Sequence, residues 1–175
     1  MQYNKKGGRF TFDSFEVTKE NSKAFEKAKH FAENADSKPL AIFGGTATGK
    51  THLLYAVKNA IEQNSPGLHV ILTTTTDMVS SLTNIISNGD TAEKFREQYM
   101  QADVLLVDDI QELAGKEKTQ DELILLFNAF YESGKRIMMT SSLKEGHHGL
   151  KERLISRAFW GDHAEISNSY VQVKY

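Results

Sequence analysis

"AIFGGTATGKTHLLYAV", from Ala41 to Val57, sets three glycines, a lysine and several hydroxyls between two apolar runs. A packed core has no use for so bare a backbone, because glycine loses chain entropy without adding buried surface, and a buried lysine needs a partner. A bound phosphate does have a use for it. Gly44, Gly45, Thr46, Ala47, Thr48, Gly49, Lys50 and Thr51 match the P-loop pattern G-x-x-x-x-G-K-T. In that motif backbone N–H groups curl around the phosphates, the lysine reaches the terminal pair and the hydroxyl ligates magnesium. Both flanks agree with it. "PLAIF" (Pro39 to Phe43) reads as a short buried strand, and Leu53, Leu54, Val57 and Ile61 fall at helical spacing. The loop therefore joins a strand to a helix N-terminus, which favours anions.

The 175 residues suffice for one well-buried domain and are few for two. A net charge of -2 gives no global attraction to nucleic acid, so any such binding needs a local basic patch. The absence of cysteine excludes disulfides, thiolate zinc sites and a cysteine nucleophile. No apolar run approaches the roughly 18 residues of a membrane span, and "MQYNKKGGRF" lacks the apolar stretch of a signal peptide. The expected location is the cytoplasm, with no membrane partner.

Outward from the P-loop, residues 1–9 read as a flexible N-terminal segment and 10–175 as one nucleotide-binding core. "FTFDSF" looks extended and anchored by its phenylalanines. Phe25, Ala28, Phe31 and Ala32 share a face of a following helix, with Thr18 or Asn21 available as its cap. "LHVILTTTT" reads as a second strand, and the stretch after it as helix broken near Asn88-Gly89. "ADVLLVDDI" has the continuous apolar character of a central parallel strand. A helix then places Leu123, Leu126, Phe127 and Phe130 inward, and "RIMMTSS" is a further strand. The order βαβαβαβ predicts an α/β fold, a three-layer αβα sandwich around a parallel sheet, with ligands at the carboxyl ends of the strands.

Asp108 and Asp109 end the "VLLV" strand at the edge where the P-loop lies. Magnesium bound to nucleotide phosphates needs a nearby carboxylate, which Asp108 would supply together with the Thr51 hydroxyl, and Asp109 would polarise an attacking water. His147-His148 suggests a metal site weakly, because adjacent histidines point to different sides of most backbones. Phe159 and Trp160 read as core, as aromatic pairs near a domain's end usually are.

The run "ADVLLVDDIQELAGKEKTQDELILLFNAFYESGKRIMMTSS" resembles the AAA+ domain of the bacterial replication initiator DnaA. "FTFDSFEVTKEN" resembles that family's approach to the nucleotide site, and "LKERLISR" its arginine-finger box. The resemblance covers most of the chain from Phe10 to about Gly161. It implies an AAA+ P-loop NTPase fold with ATP or ADP and Mg2+ as cofactors. It also implies that Phe15, Val17 and Asn21 lie by the adenine, that Gly44 to His52, Asp108 and Ser141 surround the nucleotide, and that Thr140 to Ser142 end the sensor-1 strand. Arg157 would be a finger reaching the ATP of a neighbouring copy, supported by Arg153, so that ATP drives self-assembly. Lys116 and Lys118, with the helices from about Thr83 to Tyr99, would line a channel for single-stranded DNA.

Three features depart from that pattern. Ser142 stands where the family usually has aspartate, "LKEGHHGL" replaces a proline-containing loop, and "RAFWG" replaces "RFEWG". No helical lid or helix-turn-helix follows before Tyr175, which leaves an excised core and a paralogue with a reduced role both open. The residues alone leave Lys116 and Lys118 between a DNA groove and a solvated helix, since Lys94 and Arg96 are offset by Asp90, Glu93 and Glu97. Three functional readings stand at this point. One is a DnaA-type assembly switch with slow ATP hydrolysis. The second is a helicase loader or adaptor acting on a replicative helicase or initiator, since "FDSFEVTKENSKAFEKAKHFAEN" has something of the loader family DnaC. The third is an interaction module stabilised by nucleotide.

Overall fold

The P-loop strand and helix form where the apolar runs place them. β1 is Leu40–Gly44, with all five residues buried, and Lys50–Asn64 is the helix after the loop, burying Leu53, Leu54, Val57 and Ile61. The structure, a computed structural model, describes residues 9–142 and 149–167. In chain order the elements are α1 (Ser22–Glu33), β1, α2 (Lys50–Asn64), β2 (Val70–Thr74), α3 (Thr75–Ser87), α4 (Ala92–Met100), β3 (Val104–Asp108), a 3-10 turn (Ile110–Leu113), α5 (Glu117–Glu132), β4 (Arg136–Ser141), α6 (Glu152–Trp160) and β5 (Asp162–Ile166).

The strands form one parallel sheet in the order β2-β3-β4-β1-β5. Alternate residues of each strand point to opposite faces, and the two faces bury different helices. Leu40, Ile42, Val104, Leu106 and Met138 pack with α1 and α2, through Ala28, Phe31, Leu53 and Leu54 among others. Ala41, Phe43, Leu105, Val107, Ile137 and Met139 pack with α3 to α6, through Met78, Phe95, Phe127 and Leu154 among others. This is the three-layer αβα sandwich that the sequence predicts. Full burial of one such Leu or Phe stabilises the fold by about 1.5–3 kcal/mol. Among the described residues, no helix is long and apolar enough to cross a membrane.

Four local expectations are corrected. β5 is a fifth strand, paired with β1 on the side away from β4. Its Ala164 and Ile166 are buried while His163 and Glu165 are exposed, so an edge strand half made of polar residues gives only a faint apolar signal. The threonine run does not stay extended. Thr74 Oγ1 accepts from the Asp77 N–H as an N-cap, and the chain turns helical at Thr75. Residues 11–15 form tight turns closed by Ser14 and Thr11. Phe159 and Trp160 are surface residues, 41% and 50% exposed, since α6 turns only Leu154 and Ala158 fully inward.

Candidate functional site

Parallel register carries the strand ends to one edge. Thr74 pairs with Asp108, Val107 with Met139 and Phe43 with Ser141, so Gly44, Asp108 and Thr140-Ser141 converge beside the loop of residues 45–49. Within that loop Ala47 and Gly49 have positive φ, 57° and 99°. Gly44 has no room for a side chain, because a Cβ there would lie 2.9 Å from Thr48 Oγ1 and 3.0 Å from Ile166 O. Gly49 is the N-cap of α2 and supplies no side-chain acceptor, which leaves the first N–H groups of the helix to an anion.

Lys50 lies at the base of the loop, 5% exposed. Its Nζ donates to Gly44 O at 2.8 Å, to Gly45 O at 2.5 Å and to Thr48 Oγ1 at 3.4 Å. Burial holds its pKa below the ordinary lysine value, while the charges of Asp109 and Asp108 pull the other way. The ammonium is thus stored on backbone carbonyls at the mouth of the sheet.

Asp108 is 5% exposed and accepts two hydroxyl hydrogen bonds, from Thr51 Oγ1 at 2.8 Å and from Thr140 Oγ1. Burial raises its pKa above the ordinary carboxylate value, the two hydroxyls oppose that rise, Asp109 adds to it and Lys50 opposes it. A carboxylate and a hydroxyl in contact are hard oxygen donors of the kind magnesium selects, so Thr51 and Asp108 fit that ion. Asp109 takes a left-handed conformation at φ 61°. Its N–H donates to Thr140 Oγ1 at 3.0 Å, and its Oδ1 accepts from Gln111 Nε2 at 3.2 Å. Gln111 Oε1 in turn accepts from the Ser142 N–H at 3.0 Å, so the two strand ends are tied by one amide.

Thr140, Gln111 and Thr75 do more here than motif reading assigns them. Thr140 binds both aspartates, and Thr75 Oγ1 donates to Asp109 O at 2.7 Å. The sequence places Thr140 at a strand end, but its bonds to both aspartates follow from the pairing of Met139 with Val107, a register not written in either strand alone.

The segment before α1 reaches the same place. Phe15 is buried, stacks on Phe25 with centroids 5.6 Å apart, and sets its Cε2 2.9 Å from where a Gly49 Cβ would be. Asn21 caps nothing. Its Oδ1 accepts from the Thr18 N–H and its Nδ2 donates to Glu16 O, closing a loop on which Val17 stands 48% exposed. His52 is engaged by this segment too. Its Nε2 lies 2.8 Å from Thr11 O and 3.2 Å from Ser14 Oγ, and its ring sits between Phe10 and Phe15 at 4.8 and 5.0 Å.

Arg157 is half-buried on α6, its Nε donating to Asn128 Oδ1 at 2.8 Å, and Arg153 is exposed one turn earlier. Lys116 and Lys118 are exposed and line a groove of about 650 Å³ whose other wall is Val79, Leu82, Thr83 and Ile86 of α3. The cations of α4 are taken up locally, Lys94 by Asp90 and Arg96 by Glu122, both at 2.7 Å. His147-His148 lies outside the described residues.

Residues 7–165 match the family model described as the bacterial DnaA ATPase domain. The chain is 38% identical over 169 residues to the chromosomal replication initiator protein DnaA of Geotalea uraniireducens, covering 95% of this chain and 37% of that one. It thus spans little more than a third of such curated relatives. Domain III of the Thermotoga maritima replication initiation protein DnaA superposes with a TM-score of 0.86 at 37% identity, over 90% of this chain and 67% of that one. A replication initiator DnaA bound to AMPPCP and single-stranded DNA gives 0.83 at 35%, over 90% and 50%. A DnaC helicase loader, at 19% identity and a TM-score of 0.74, shares the fold alone.

Proposed function

The chain belongs to the bacterial DnaA ATPase domain family, and from that premise we propose that it is an ATP-binding AAA+ module acting as a nucleotide-dependent assembly switch in replication initiation in the cytoplasm. The observation that carries the reading is the convergence of Lys50, Thr51, Asp108 and Thr140 at one sheet edge beside a glycine loop with two positive-φ residues.

In this reading the N–H groups of residues 45–51 cradle the phosphates of ATP or ADP. Lys50 leaves its carbonyl partners for the terminal phosphates, a short move for a side chain already at the loop's base. Thr51 and Asp108 hold Mg2+, which when bound offsets charge on the phosphate oxygens. Asp109, oriented by Gln111 and by its own N–H on Thr140, aims the water that attacks the γ-phosphorus. Ser141 completes the wall of the site. Phe15, Val17 and Asn21 frame the adenine, and His52 fastens that frame to α2. Hydrolysis is slow, because Ser142 brings no carboxylate to the strand end and its N–H is occupied by Gln111.

Arg157 acts in trans, completing the site of a neighbouring copy so that ATP favours assembly. Lys116 and Lys118 face a single strand across the groove floored by α3. A relative in complex with AMPPCP and single-stranded DNA supports both ligands. Sedimentation with Mg-ATP, with Mg-ADP and without nucleotide, each with a labelled single strand, tests the switch. Larger species that carry the strand form only with ATP. A monomer in all three samples overturns the assembly reading, and unchanged ATP-driven assembly of Arg157→Ala overturns the finger.

A further inference from the structure

Gln120 is wholly buried in the first turn of α5, and every polar group of its side chain is used. Nε2 donates to Leu113 O at 2.7 Å and to Gly149 O at 2.8 Å, while Oε1 accepts from the Lys151 N–H at 2.7 Å. An apolar side chain would fill the same volume. Leu113 O would keep the Lys116 N–H at 2.8 Å, but the Lys151 N–H would lose the partner that Gln120 gives it, which is costly, so the amide is selected by what it joins as well as by packing.

It joins three segments that no helix or strand ladder connects. Leu113 ends the 3-10 turn that begins just after Asp109. Gly149 O also accepts from the Gly115 N–H at 3.1 Å, and Gly149 sits so close that a Cβ on it would lie 2.9 Å from Ala114 Cβ. Lys151 is the N-cap of α6 and its carbonyl accepts from the Leu154 and Ile155 N–H groups. Farther along the same two helices Arg157 Nε donates to Asn128. α5 thus grips α6 through Gln120 and Asp121 at the cap, the latter pairing with Lys151 Nζ at 2.7 Å, and through Asn128 at the guanidinium, and of these Gln120 also holds the turn behind Asp109.

We propose that Gln120 is a positioning residue that couples the turn behind Asp108 and Asp109 in a chain's own nucleotide site to the Arg157 finger that the same chain offers to its neighbour. The inference rests on the finger reading of Arg157. A shift of that turn on nucleotide binding moves Leu113 O, and the shared amide passes the shift to the cap of α6. Side-chain packing alone would not do this with a defined direction, since it lacks the three fixed hydrogen-bond geometries.

The test combines Gln120→Met, Arg157→Ala and the double variant in the full chain. Titration with a fluorescent ATP analogue should give affinities within about threefold of wild type for Gln120→Met, while the concentration needed for ATP-driven assembly rises by about tenfold. In the Arg157→Ala background, Gln120→Met should then produce no further shift, because the finger that it positions is already gone. Unchanged assembly, or effects that simply add, overturns the proposal, and wild-type assembly of Arg157→Ala alone overturns it together with the finger. Should Gln120→Met fail to fold, hydrogen exchange on the wild-type chain decides. The Lys151 amide should exchange about tenfold more slowly with Mg-ATP than without nucleotide. Equal exchange in a chain that binds ATP overturns the coupling, and absence of ATP binding overturns both it and the nucleotide reading.

Discussion

Thr51 Oγ1 and Asp108 Oδ2 share a 2.8 Å hydrogen bond between the first turn of α2 and the last residue of β3. The carboxylate is buried, at a cost that appears as its raised pKa. Stability from this group is full below the ordinary value of 3.8 and is lost as pH rises through the higher folded value. Asp108→Asn should therefore raise the melting temperature of the nucleotide-free chain at neutral pH. The gain should shrink as pH falls toward 3.8. In the same variant, a chelator should leave ATP binding unchanged, whereas in wild type it should weaken it. Thermal melts across pH and titrations with and without EDTA check both outcomes, and a lower melting temperature would contradict the burial argument.

Lys50 carries a similar cost with the opposite charge. Its folded pKa lies below the ordinary 10.5, so between the two values the unfolded chain binds the extra proton and stability rises with pH. Lys50→Met should flatten that alkaline rise and leave the nucleotide-free fold at least as stable at neutral pH, while ATP affinity falls below detection. Urea unfolding and nucleotide titration measure the two effects. Persisting affinity would argue against the phosphate role.

Gly49 has φ 99° and faces Phe15 Cε2 at 2.9 Å from an added Cβ. Gly49→Ala should cost about 1–3 kcal/mol of stability, combining the left-handed penalty with displacement of a buried ring. The denaturation midpoint reports it. A cost of only about 1 kcal/mol, the left-handed penalty alone, would mean that the Phe15 ring moves freely, and a neutral effect would contradict both causes.

The parts of this fold that were legible are those where one segment carries its own signal. The P-loop, the buried run at Val104–Asp108 and the inward faces of α1, α2 and α5 each depend on local composition and period. What escaped depends on partners far away in the chain. Thr140 was legible as a strand end beside the P-loop, but its bonds to both aspartates depend on register, and Gln120 matters because Leu113, Gly149 and Lys151 meet around it. β5 escaped for another reason: only its two inward residues are apolar, so neighbours and not propensity make it a strand. Thr74 and Thr75 look equally extended in sequence, yet the Thr74 cap turns the second into helix.

His52 ties the N-terminal segment to α2 through Thr11 O and the Phe10 and Phe15 rings, and Asn59 Nδ2 adds a bond to Phe10 O at 2.8 Å. His52→Ala should release the adenine frame and leave the phosphate cradle intact. ATP affinity should fall by about tenfold, the size of one lost half-buried hydrogen bond with its packing. Tripolyphosphate, which has no adenine, should bind as in wild type. Equal losses for both ligands would place His52 in the cradle instead.

Lys116 and Lys118 differ from the other cations near α3 and α4. Lys94 and Arg96 are held by carboxylates at 2.7 Å, so they have little charge to offer a phosphate backbone, whereas Lys116, at the N-cap of α5, and Lys118 stand exposed on the rim of the groove. Each lysine that neutralises a phosphate of a single strand contributes roughly 0.7 to the slope of log K against log salt. The Lys116→Ala, Lys118→Ala double variant should therefore bind a labelled strand with a slope shallower by roughly 1.4, twice that increment. Lys94→Ala should leave the slope unchanged, because its charge is already spent on Asp90. Because the groove's other wall is apolar, with Ile86 44% exposed, some affinity should survive at high salt in the double variant. An unaltered slope would remove these lysines from the strand's path, and a slope equally sensitive to Lys94 would show that the Asp90 pair opens when DNA arrives.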